Sequence, residues 1–288
     1  MIDMHIHTVH SDGKDTVKEI LEKAQAAGIT TLSITDHDGV DAYEELNNMD
    51  YTKHYKGRII TGCEFSVSFM GARIEFLGYG FDIKRIKTWL DNEYNNTKFK
   101  KKCKREFSDI CNSCYEKGII LSEDFKYDNT VLPVDCIYYE IIKHDYNKKF
   151  FKKEEWDDIS LFWRKCSTDP CFPIYFDYSK ITVSAEEVSK LIREVNGKVF
   201  LAHLYRYQKE NKEELLESLK KQNLIDGVEV YYSTFTKEET EKLEKYCKEN
   251  NLLMCGGTDY HNKKNDNRRI GIGFGNLNIS EDIISSWA

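Results

Sequence analysis

Histidine and acidic residues open this chain at spacings that could bind metal ions. The first thirteen residues read MIDMHIHTVHSDG, in which His5 and His7 stand two apart and Asp12 follows. If this stretch begins as a strand, both imidazoles leave the same face of it. A second cluster, TDHD around His37, follows directly behind an apolar run. Two interpretations are open: metal chemistry, or a polar N-terminus that happens to be rich in histidine.

Further candidate ligands lie at or near the ends of other predicted strands. A lone histidine at a strand end is usually structural, but five of the eight histidines lie there beside an acid, which favours a metal centre. Nitrogen and oxygen donors without thiolate suit zinc, manganese or iron(II). The set is too large for one ion, so two or three divalent ions are expected, with Glu64 as the bridging carboxylate. The additional candidates are Glu64, Glu75, His203, Asp259 and His261.

The elements that must position these residues alternate between strand and helix. An amphipathic helix over residues 15–28 carries apolar residues at helical spacing and ends at a glycine. Such alternation predicts an α/β fold with a parallel sheet, closed or open, whose carboxyl ends form a rim where sites assemble. The predicted strands are residues 2–7, 29–36, 58–67, 72–80, 198–204, 226–232 and 252–261.

The middle of the chain has a different pattern. From about residue 91 to 171 the sequence is mostly helical and includes the basic run KFKKKCKR. This segment is predicted to be a helical insertion or cap domain, residues 91–171, within a discontinuous α/β domain made of residues 1–90 and 172–288.

The overall composition narrows the class of partner. The chain has 288 residues, a net charge of −7 and a pI of about 5.7, so no general attraction to nucleic acid or anionic lipid is expected. An anionic substrate would need a local positive site, which bound metal ions would provide. The mean hydropathy is −0.61, and no apolar run approaches the roughly 20 residues that span a membrane. The N-terminus lacks signal-peptide features, so a cytoplasmic protein without a membrane partner is expected.

The cysteines favour a reducing compartment. There are nine, an odd number without a repeating interval, which predicts free thiols. Cys111 and Cys114 have the C-x-x-C spacing of some zinc sites. No second pair stands at zinc-finger distance and the pair lies in a helical pattern, so packing is the favoured interpretation over a structural zinc.

Five motifs occur in an order that resembles a known family. HIHTVHSDG, ITDHDGV, GCEFSV, FLAHLYRY and GGTDYH are similar to the PHP (polymerase and histidinol phosphatase) family, specifically to its stand-alone metal-dependent phosphoesterases. Amidohydrolases also begin with H-x-H, but SDG and TDHD at these spacings are those of PHP. The resemblance implies a distorted seven-stranded (β/α)7 barrel and a trinuclear centre. Its three implied ligand groups are His5, His7, Glu64 and Asp259; Asp12, His37 and His261; and Glu64, Glu75 and His203.

The resemblance also implies how substrate is held. Arg206 in AHLYRY matches an arginine that the family uses on phosphate, and a guanidinium beside a metal cluster suits a phosphoryl group. A surface salt bridge is the alternative role. His203 or a water at the metal centre would supply the proton for the leaving group. Arg206 and His203 are therefore the candidate catalytic residues.

Departures from the family pattern affect the substrate side more than the core. Relatives usually have histidine where this chain has Glu75, so the centre is trinuclear with altered metal preference, or binuclear with Glu75 as a spectator. The stretch LPVDCIYYEI lacks the arginine and histidine that relatives carry in R-x-H-x-A, and Phe235 stands where they often have histidine.

Several functions are consistent with these residues. The first is hydrolysis of small phosphate monoesters, nucleotide-like in type, by a metal-activated hydroxide. Alternatives are an exonuclease on short oligonucleotides, a histidinol-phosphate-type phosphatase, or a degenerate domain that binds metal for structure. The near-neutral insertion argues against a stable nucleic-acid complex.

Overall fold

The computed structural model describes residues 1–207, 212–264 and 266–288. The chain divides into two compact units. The first comprises Met1–Val67, Ile74–Leu90 and Val183–Ala288, and the second comprises Ser68–Arg73 and Asp91–Thr182. The second unit extends further along the chain than the predicted insertion, residues 91–171, and it also includes the turn at residues 68–73.

Strands and helices alternate in the first unit, whereas helices dominate the second. The strands of the described residues are β1 (Ile2–Asp3), β2 (Thr31–Leu32), β3 (Arg58–Ile59), β4 (Gly62–Phe69), β5 (Ala72–Tyr79), β6 (Lys198–Leu201), β7 (Gly227–Tyr232) and β8 (Leu253–Gly257). The helices are α1 (Val17–Ala26), α2 (Asp41–Asn47), α3 (Ile83–Glu93), α4 (Asn96–Lys117), α5 (Pro133–Ile141), α6 (Lys153–Asp157), α7 (Ile159–Thr168), α8 (Ala185–Glu194), α9 (Lys212–Lys221) and α10 (Lys237–Asn250).

The strands form two open sheets, so the α/β class is confirmed. One sheet has the order β1-β2-β3 and is parallel, and the other has the order β4-β5-β6-β7-β8. In the second sheet β6, β7 and β8 are parallel, but β5 runs antiparallel to β6. The expectation of a wholly parallel sheet is therefore wrong at β5. A two-residue turn, Met70 (φ 49°) and Gly71 (φ 69°), joins β4 to β5, and turns this short connect only antiparallel neighbours.

The first and second strands are shorter than predicted. The sequence pattern predicts one strand over residues 2–7, but β1 ends at Asp3. The buried carboxylate of Asp3 accepts the backbone N–H groups of His5 (3.3 Å) and Thr258 (2.9 Å), which takes them out of a regular ladder. Two isolated parallel bridges extend the pairing. One joins Ile6 to Tyr260, and the other joins His37 to Glu64.

The amphipathic helix predicted from the sequence is confirmed as α1. Thr16 caps its N-terminus and forms a capping box with Glu19, which satisfies two otherwise unpaired backbone donors. Its buried stripe consists of Val17, Ile20, Leu21 and Ala24. Helix α10 begins with the same device, formed by Thr236 and Glu239. Caps of this kind fix where a helix starts and therefore where the preceding loop must end.

Each unit has its own hydrophobic core. In the first unit, β-strand residues such as Leu77, Phe200 and Cys255 pack together. In the second unit the core includes Cys111 and Cys114 beside other apolar residues of α4, α5 and α7, which agrees with the packing interpretation of this pair. None of the helices in the described parts of the chain is long and apolar enough to cross a membrane.

One tyrosine hydroxyl joins the strands that carry the site. Tyr43 of α2 is buried, and its hydroxyl donates to the carbonyl of Ile34 (2.7 Å) and accepts the N–H of Gly62 (2.8 Å). We expect Tyr43→Phe to lower the free energy of unfolding by about 2 kcal/mol, because it leaves buried backbone groups unpaired. Urea denaturation measures this. Tyr51→Phe, at an exposed tyrosine, is the control, and equal stability of both variants would contradict the assignment.

Candidate metal centre

The structure brings histidines and carboxylates from distant parts of the first unit together. Within each of three groups, one ligand atom per residue lies within 4.8 Å of all the others. The first group is the one predicted, the second contains His7 in addition, and the third contains His37 in place of His203. The groups are His5, His7, Glu64 and Asp259; His7, Asp12, His37 and His261; and His37, Glu64 and Glu75.

Glu64 lies at the centre of this arrangement. Its Oε2 atom is 3.2 Å from His5 Nε2, 3.2 Å from His7 Nε2 and 3.2 Å from His37 Nδ1. Its other oxygen, Oε1, is 2.9 Å from His203 Nε2. The side chain is only 1% exposed. A single buried carboxylate therefore faces four imidazoles, which is the geometry that a bridging ligand requires.

Two aspartates complete the other side of the cluster. Asp259 Oδ1 lies 3.1 Å from His7 Nε2, and Asp12 Oδ1 lies 3.0 Å from His261 Nε2. Despite such neighbours, Asp12 Oδ1 and His37 Nδ1 are buried atoms that form no well-oriented hydrogen bond with any described residue. Buried polar atoms are nearly always paired, so ligand-type atoms left in this state fit a site for a cation.

Glu75 lies close to the cluster despite its departure from the family pattern. It is the fourth residue of β5, and its Oε2 atom is 3.3 Å from His203 Nε2. Its side chain is 21% exposed, more than those of Glu64 and His203. This arrangement is compatible with a third ion held partly by carboxylate, a ligand suited to hard ions such as manganese.

The backbone around the ligands is unusual. Asp38, His203 and Asp259 all have positive φ angles, of 46°, 21° and 53°. Such conformations are uncommon for residues other than glycine, and they concentrate at functional sites where surrounding contacts hold them in place. Here they turn the chain sharply directly after His37 and just beyond β6 and β8, next to or at residues of the cluster.

The electrostatics of the cluster favour positive charge. Burial opposes the charged form of His7, but its hydrogen bonds to Asp259 and Glu64 outweigh burial and raise its pKa to about 9. Burial likewise opposes protonation of His203, but Glu64 and Glu75 raise its pKa to about 9. Conversely, burial of Glu64 is outweighed by the imidazoles around it, which hold its pKa well below the usual value. The cluster therefore attracts protons when ions are absent, as expected of a cation site.

Three buried acids behind the ligands were not predicted as site residues. Asp36 accepts the backbone N–H and the hydroxyl of Thr8, both at 2.7 Å, and the hydroxyl of Ser11 at 2.5 Å, which shapes the loop that carries Asp12. Asp3 ties the first strand to the end of β8. Glu229 contacts two of the candidate ligands. The sequence does contain a signal for Glu229, which is an acid inside the otherwise apolar strand GVEVYY. Because acids are rarely buried without a partner, such an acid is a candidate for a site.

Cations surround the cluster, and they differ in how far they are engaged. Arg268 donates to Asp259 Oδ2 (2.8 Å) and also pairs with Asp266 (2.7 Å), so its guanidinium is occupied; no motif in the sequence indicated this role. Lys263 pairs with Asp12. Arg206 is exposed, and its guanidinium forms no hydrogen bond or ion pair with any described residue. Of these cations, Arg206 is the one best able to bind an anion.

The donor set fits divalent metal ions. All candidate ligands offer imidazole nitrogen or carboxylate oxygen, no thiolate is included among the described groups, and several of the donors are deeply buried. Other histidines instead contact glutamates elsewhere, as His10 does with Glu45 and His54 with Glu22. Such a fold and site define an α/β protein with a candidate centre for divalent metal ions.

Comparison with known proteins places this centre in a family. The family profile described as PHP domain matches residues 3–226, and the chain belongs to the PHP family. The matched range ends before Asp259 and His261, yet the structure places both residues in the same cluster as His7. The resemblance seen in the motifs is thereby confirmed.

Two solved structures share the fold. An amidohydrolase from Chromobacterium violaceum has a TM-score of 0.61 and 20% identity, covering 90% of this chain and 87% of that chain. A candidate metal-dependent phosphoesterase from Bifidobacterium adolescentis has a TM-score of 0.61 and 18% identity, covering 99% of this chain and 94% of that chain. At these identities the likeness shows the fold.

Two curated relatives are similar over short segments. The chain is 32% identical over 80 residues to a 5'-3' exoribonuclease of Haemophilus influenzae, which is 28% of each chain. It is 31% identical over 83 residues to a phosphoribosyl 1,2-cyclic phosphate 1,2-diphosphodiesterase of Eggerthella lenta, which is 28% of this chain and 30% of the relative. The chain thus matches less than a third of the length of either relative.

The raised histidine pKa values predict how stability depends on pH. Without metal, His7 and His203 have a pKa of about 9 in the folded protein, above the ordinary value of 6.5. Their contribution to stability is complete below about pH 6.5 and is lost as the pH rises through about 9. We expect the melting temperature of chelator-treated protein to fall over this range. Saturating Mn²⁺ should oppose the fall, since histidine binds metal when deprotonated. A pH-independent melting temperature would contradict this.

Glu64→Ala is expected to be the most damaging ligand substitution, because it removes the two carboxylate oxygens that face four histidines. The variant should lose at least one metal ion per chain together with its activity, measured by elemental analysis beside kinetics. The control is Glu45→Ala, which removes a glutamate that contacts a histidine on the surface. Full metal content in the Glu64 variant would disprove the bridging role.

Proposed function

We propose that this chain is a metal-dependent phosphoesterase that hydrolyses phosphate monoesters, with small nucleotide-type molecules as substrates. The observation that carries the proposal is the buried carboxylate of Glu64 surrounded by four imidazoles. Arg206 follows one of these residues, His203, by three positions in the chain. It is exposed, and its guanidinium forms no hydrogen bond or ion pair with any described residue. Membership of the PHP family supports the same conclusion.

The fold that we propose around this site is a distorted seven-stranded (β/α)7 barrel. β3 and β4 are separated by only two residues and would count as one staggered strand. The parallel bridges between Ile6 and Tyr260 and between His37 and Glu64 support closure, since they link the two sheets at both ends. The helical unit, residues 91–171 in the sequence-based boundaries, would be an insertion in this barrel.

The candidate ligands would hold two or three ions of manganese, iron or zinc. The first ion would take His5, His7, Glu64 and Asp259, and the second would take Asp12, His37 and His261. The third would take Glu64, Glu75 and His203, whose nitrogen lies 2.9 Å from one carboxylate and 3.3 Å from the other. Bound ions would lower the pKa of water towards neutrality and offset the charge of a phosphoryl group.

The chain's own residues would supply orientation and charge. We propose that the guanidinium of Arg206 grips phosphoryl oxygens, which a planar fork of donors suits. His203 directs Nε2 at Glu64 and Glu75, an orientation that supports a role as metal ligand, in which this atom would not protonate a leaving group. Its Nδ1 is buried without a hydrogen-bond partner among the described residues. We therefore assign His203 to metal binding and the leaving-group proton to water.

A second candidate function is trimming of short oligonucleotides, favoured by the segment similar to an exoribonuclease. The basic run of α4 argues for it less than its charge suggests. Lys98 and Lys102 both pair with Glu93 at 2.8 Å, so part of the run is neutralised within its own unit.

We place the protein in the cytoplasm, a proposal that nine free cysteines support.

A panel of substrates tests the function. Purified protein with Mn²⁺ is assayed on nitrophenyl phosphate, nucleoside monophosphates, histidinol phosphate and a short oligonucleotide. We expect hydrolysis of monoesters and two or three ions per chain by elemental analysis. Hydrolysis of the oligonucleotide alone would favour the nuclease. Metal binding without any hydrolysis would indicate a structural site, and less than one ion per chain after soaking in Mn²⁺ would overturn the enzyme proposal.

Arg206→Ala separates recognition of substrate from metal binding. The metal content should stay unchanged, because a guanidinium does not ligate cations. The value of kcat/KM should fall by an amount that corresponds to a loss of about 2–4 kcal/mol of transition-state stabilisation. Arg206→Lys should recover only part of this loss, since an ammonium lacks the bidentate fork. Arg85→Ala, at an exposed arginine of α3, is the control. Wild-type kinetics in Arg206→Ala would assign phosphate binding to another residue.

A further inference from the structure

Glu229 is a fully buried acid that contacts two candidate ligands without belonging to a ligand group among the described residues. Its Oε1 atom lies 2.8 Å from Nδ1 of His5. Its Oε2 atom accepts the backbone N–H of His203, also at 2.8 Å. Burying a carboxylate is costly unless it is paired, so both oxygens are engaged for a structural or functional reason.

A β-bulge in β7 directs Glu229 towards the cluster. Glu229 is paired with Cys255 and Tyr231 with Gly256, so one extra residue lies between the two pairs. In a regular strand, residues 229 and 231 would share a face. Instead, the hydroxyl of Tyr231 donates to Glu244 (2.8 Å), whereas that of Tyr232 donates to Asp259 (2.6 Å). The bulge therefore sends residues 229 and 232 to the cluster and residue 231 away from it.

The contact with His5 selects one tautomer of that imidazole. An ionised carboxylate only accepts hydrogen bonds, so the Nδ1 atom of His5 must carry the hydrogen. In the neutral imidazole, which is the form that binds metal, its Nε2 atom then keeps a free lone pair. This atom lies 3.2 Å from Glu64 Oε2 and 3.4 Å from Asp259 Oδ1. Nε2 is thus the nitrogen presented to the first ligand group.

The contact with His203 holds a strained backbone. His203 has φ 21° and ψ 57°, immediately after β6. Glu229 binds its N–H, while its Nε2 atom reaches Glu64 Oε1 at 2.9 Å. Fixing the N–H fixes the direction in which the imidazole leaves the chain, so the same carboxylate also orients a ligand on a second strand.

We propose that Glu229 is a positioning residue of the metal centre. It holds His5 in the Nδ1–H tautomer and His203 in its turned backbone, so that both histidines present Nε2 to metal. This inference rests on the proposed function, because it presupposes that the cluster binds metal.

Glu229→Gln tests the proposal with almost no change in shape. The amide has one accepting oxygen, but two donors, His5 Nδ1–H and the His203 N–H, compete for it. If the oxygen faces His203, the amide NH₂ faces His5 and forces its Nε2–H tautomer, which blocks the metal-facing nitrogen. If the oxygen faces His5, the amide NH₂ faces the backbone N–H of His203, and neither of these two donors has an acceptor. Either orientation weakens metal binding.

Zinc affinity is measured by competition with a chromophoric chelator, on wild type, Glu229→Gln and Tyr231→Phe. Tyr231→Phe is the matched control, because it removes a hydrogen bond from the same strand on the side away from the cluster. We expect zinc to bind Glu229→Gln about 10–100-fold more weakly and Tyr231→Phe as tightly as wild type. Nitrogen-15 histidine NMR of the zinc-loaded wild type should show His5 protonated at Nδ1 and zinc-bound at Nε2.

Each outcome decides between the two proposals. Wild-type affinity in a folded Glu229→Gln protein, or a zinc-loaded wild type in which His5 is protonated at Nε2, overturns the positioning role and leaves the proposed function intact. Failure of the wild type itself to bind zinc or manganese overturns the proposed function, and the positioning role with it. If Glu229→Gln does not fold, the histidine spectrum of the wild type still shows whether His5 has the tautomer that the positioning role requires.

Discussion

The burial of one carboxylate constrains the first unit more than any other feature. Glu64 is 1% exposed, and an ionised carboxylate removed from water must be compensated by positive charge or hydrogen-bond donors. Its compensation comes from four imidazoles, at residues 5, 7, 37 and 203, which belong to three other parts of the chain. These segments must converge on a single point for the carboxylate to be tolerated, and the cluster is the result.

The converging segments are held in place by hydrogen bonds to a second set of buried carboxylates. Asp3, Asp36 and Glu229 each accept backbone N–H groups next to the ligands, and each is itself almost wholly buried. Their contacts pair backbone N–H groups just beyond the ends of regular strands, as Asp3 does for His5 beyond β1 and Glu229 does for His203 beyond β6. Replacement of ladder bonds by carboxylate bonds keeps the backbone satisfied while it adopts conformations that a regular sheet excludes.

The charge distribution agrees with a site for anions despite a net charge of −7. Acidic residues concentrate at the cluster, where histidine pKa values are raised and carboxylate pKa values lowered. Such a cluster first collects cations. In the proposed function, bound cations and the guanidinium of Arg206 would together make the same site attractive to a phosphoryl group. Other basic groups near the cluster are already neutralised, as Arg268 is by Asp259 and Asp266.

Much of this was predictable from the sequence, because ligands must be residues of particular types and strand spacing determines the face on which they lie. The ligands predicted from H-x-H, TDHD, the final TDYH and the acids near other strand ends include every residue of the three groups, and the helical spacing of apolar residues predicted α1. Only the tertiary structure decided which residues meet: His7 joins two groups, β5 runs antiparallel, and Glu229 stands behind His5. The reason is that side-chain type is local, whereas a bulge, a tight turn and a buried carboxylate's partners depend on segments far apart in the chain.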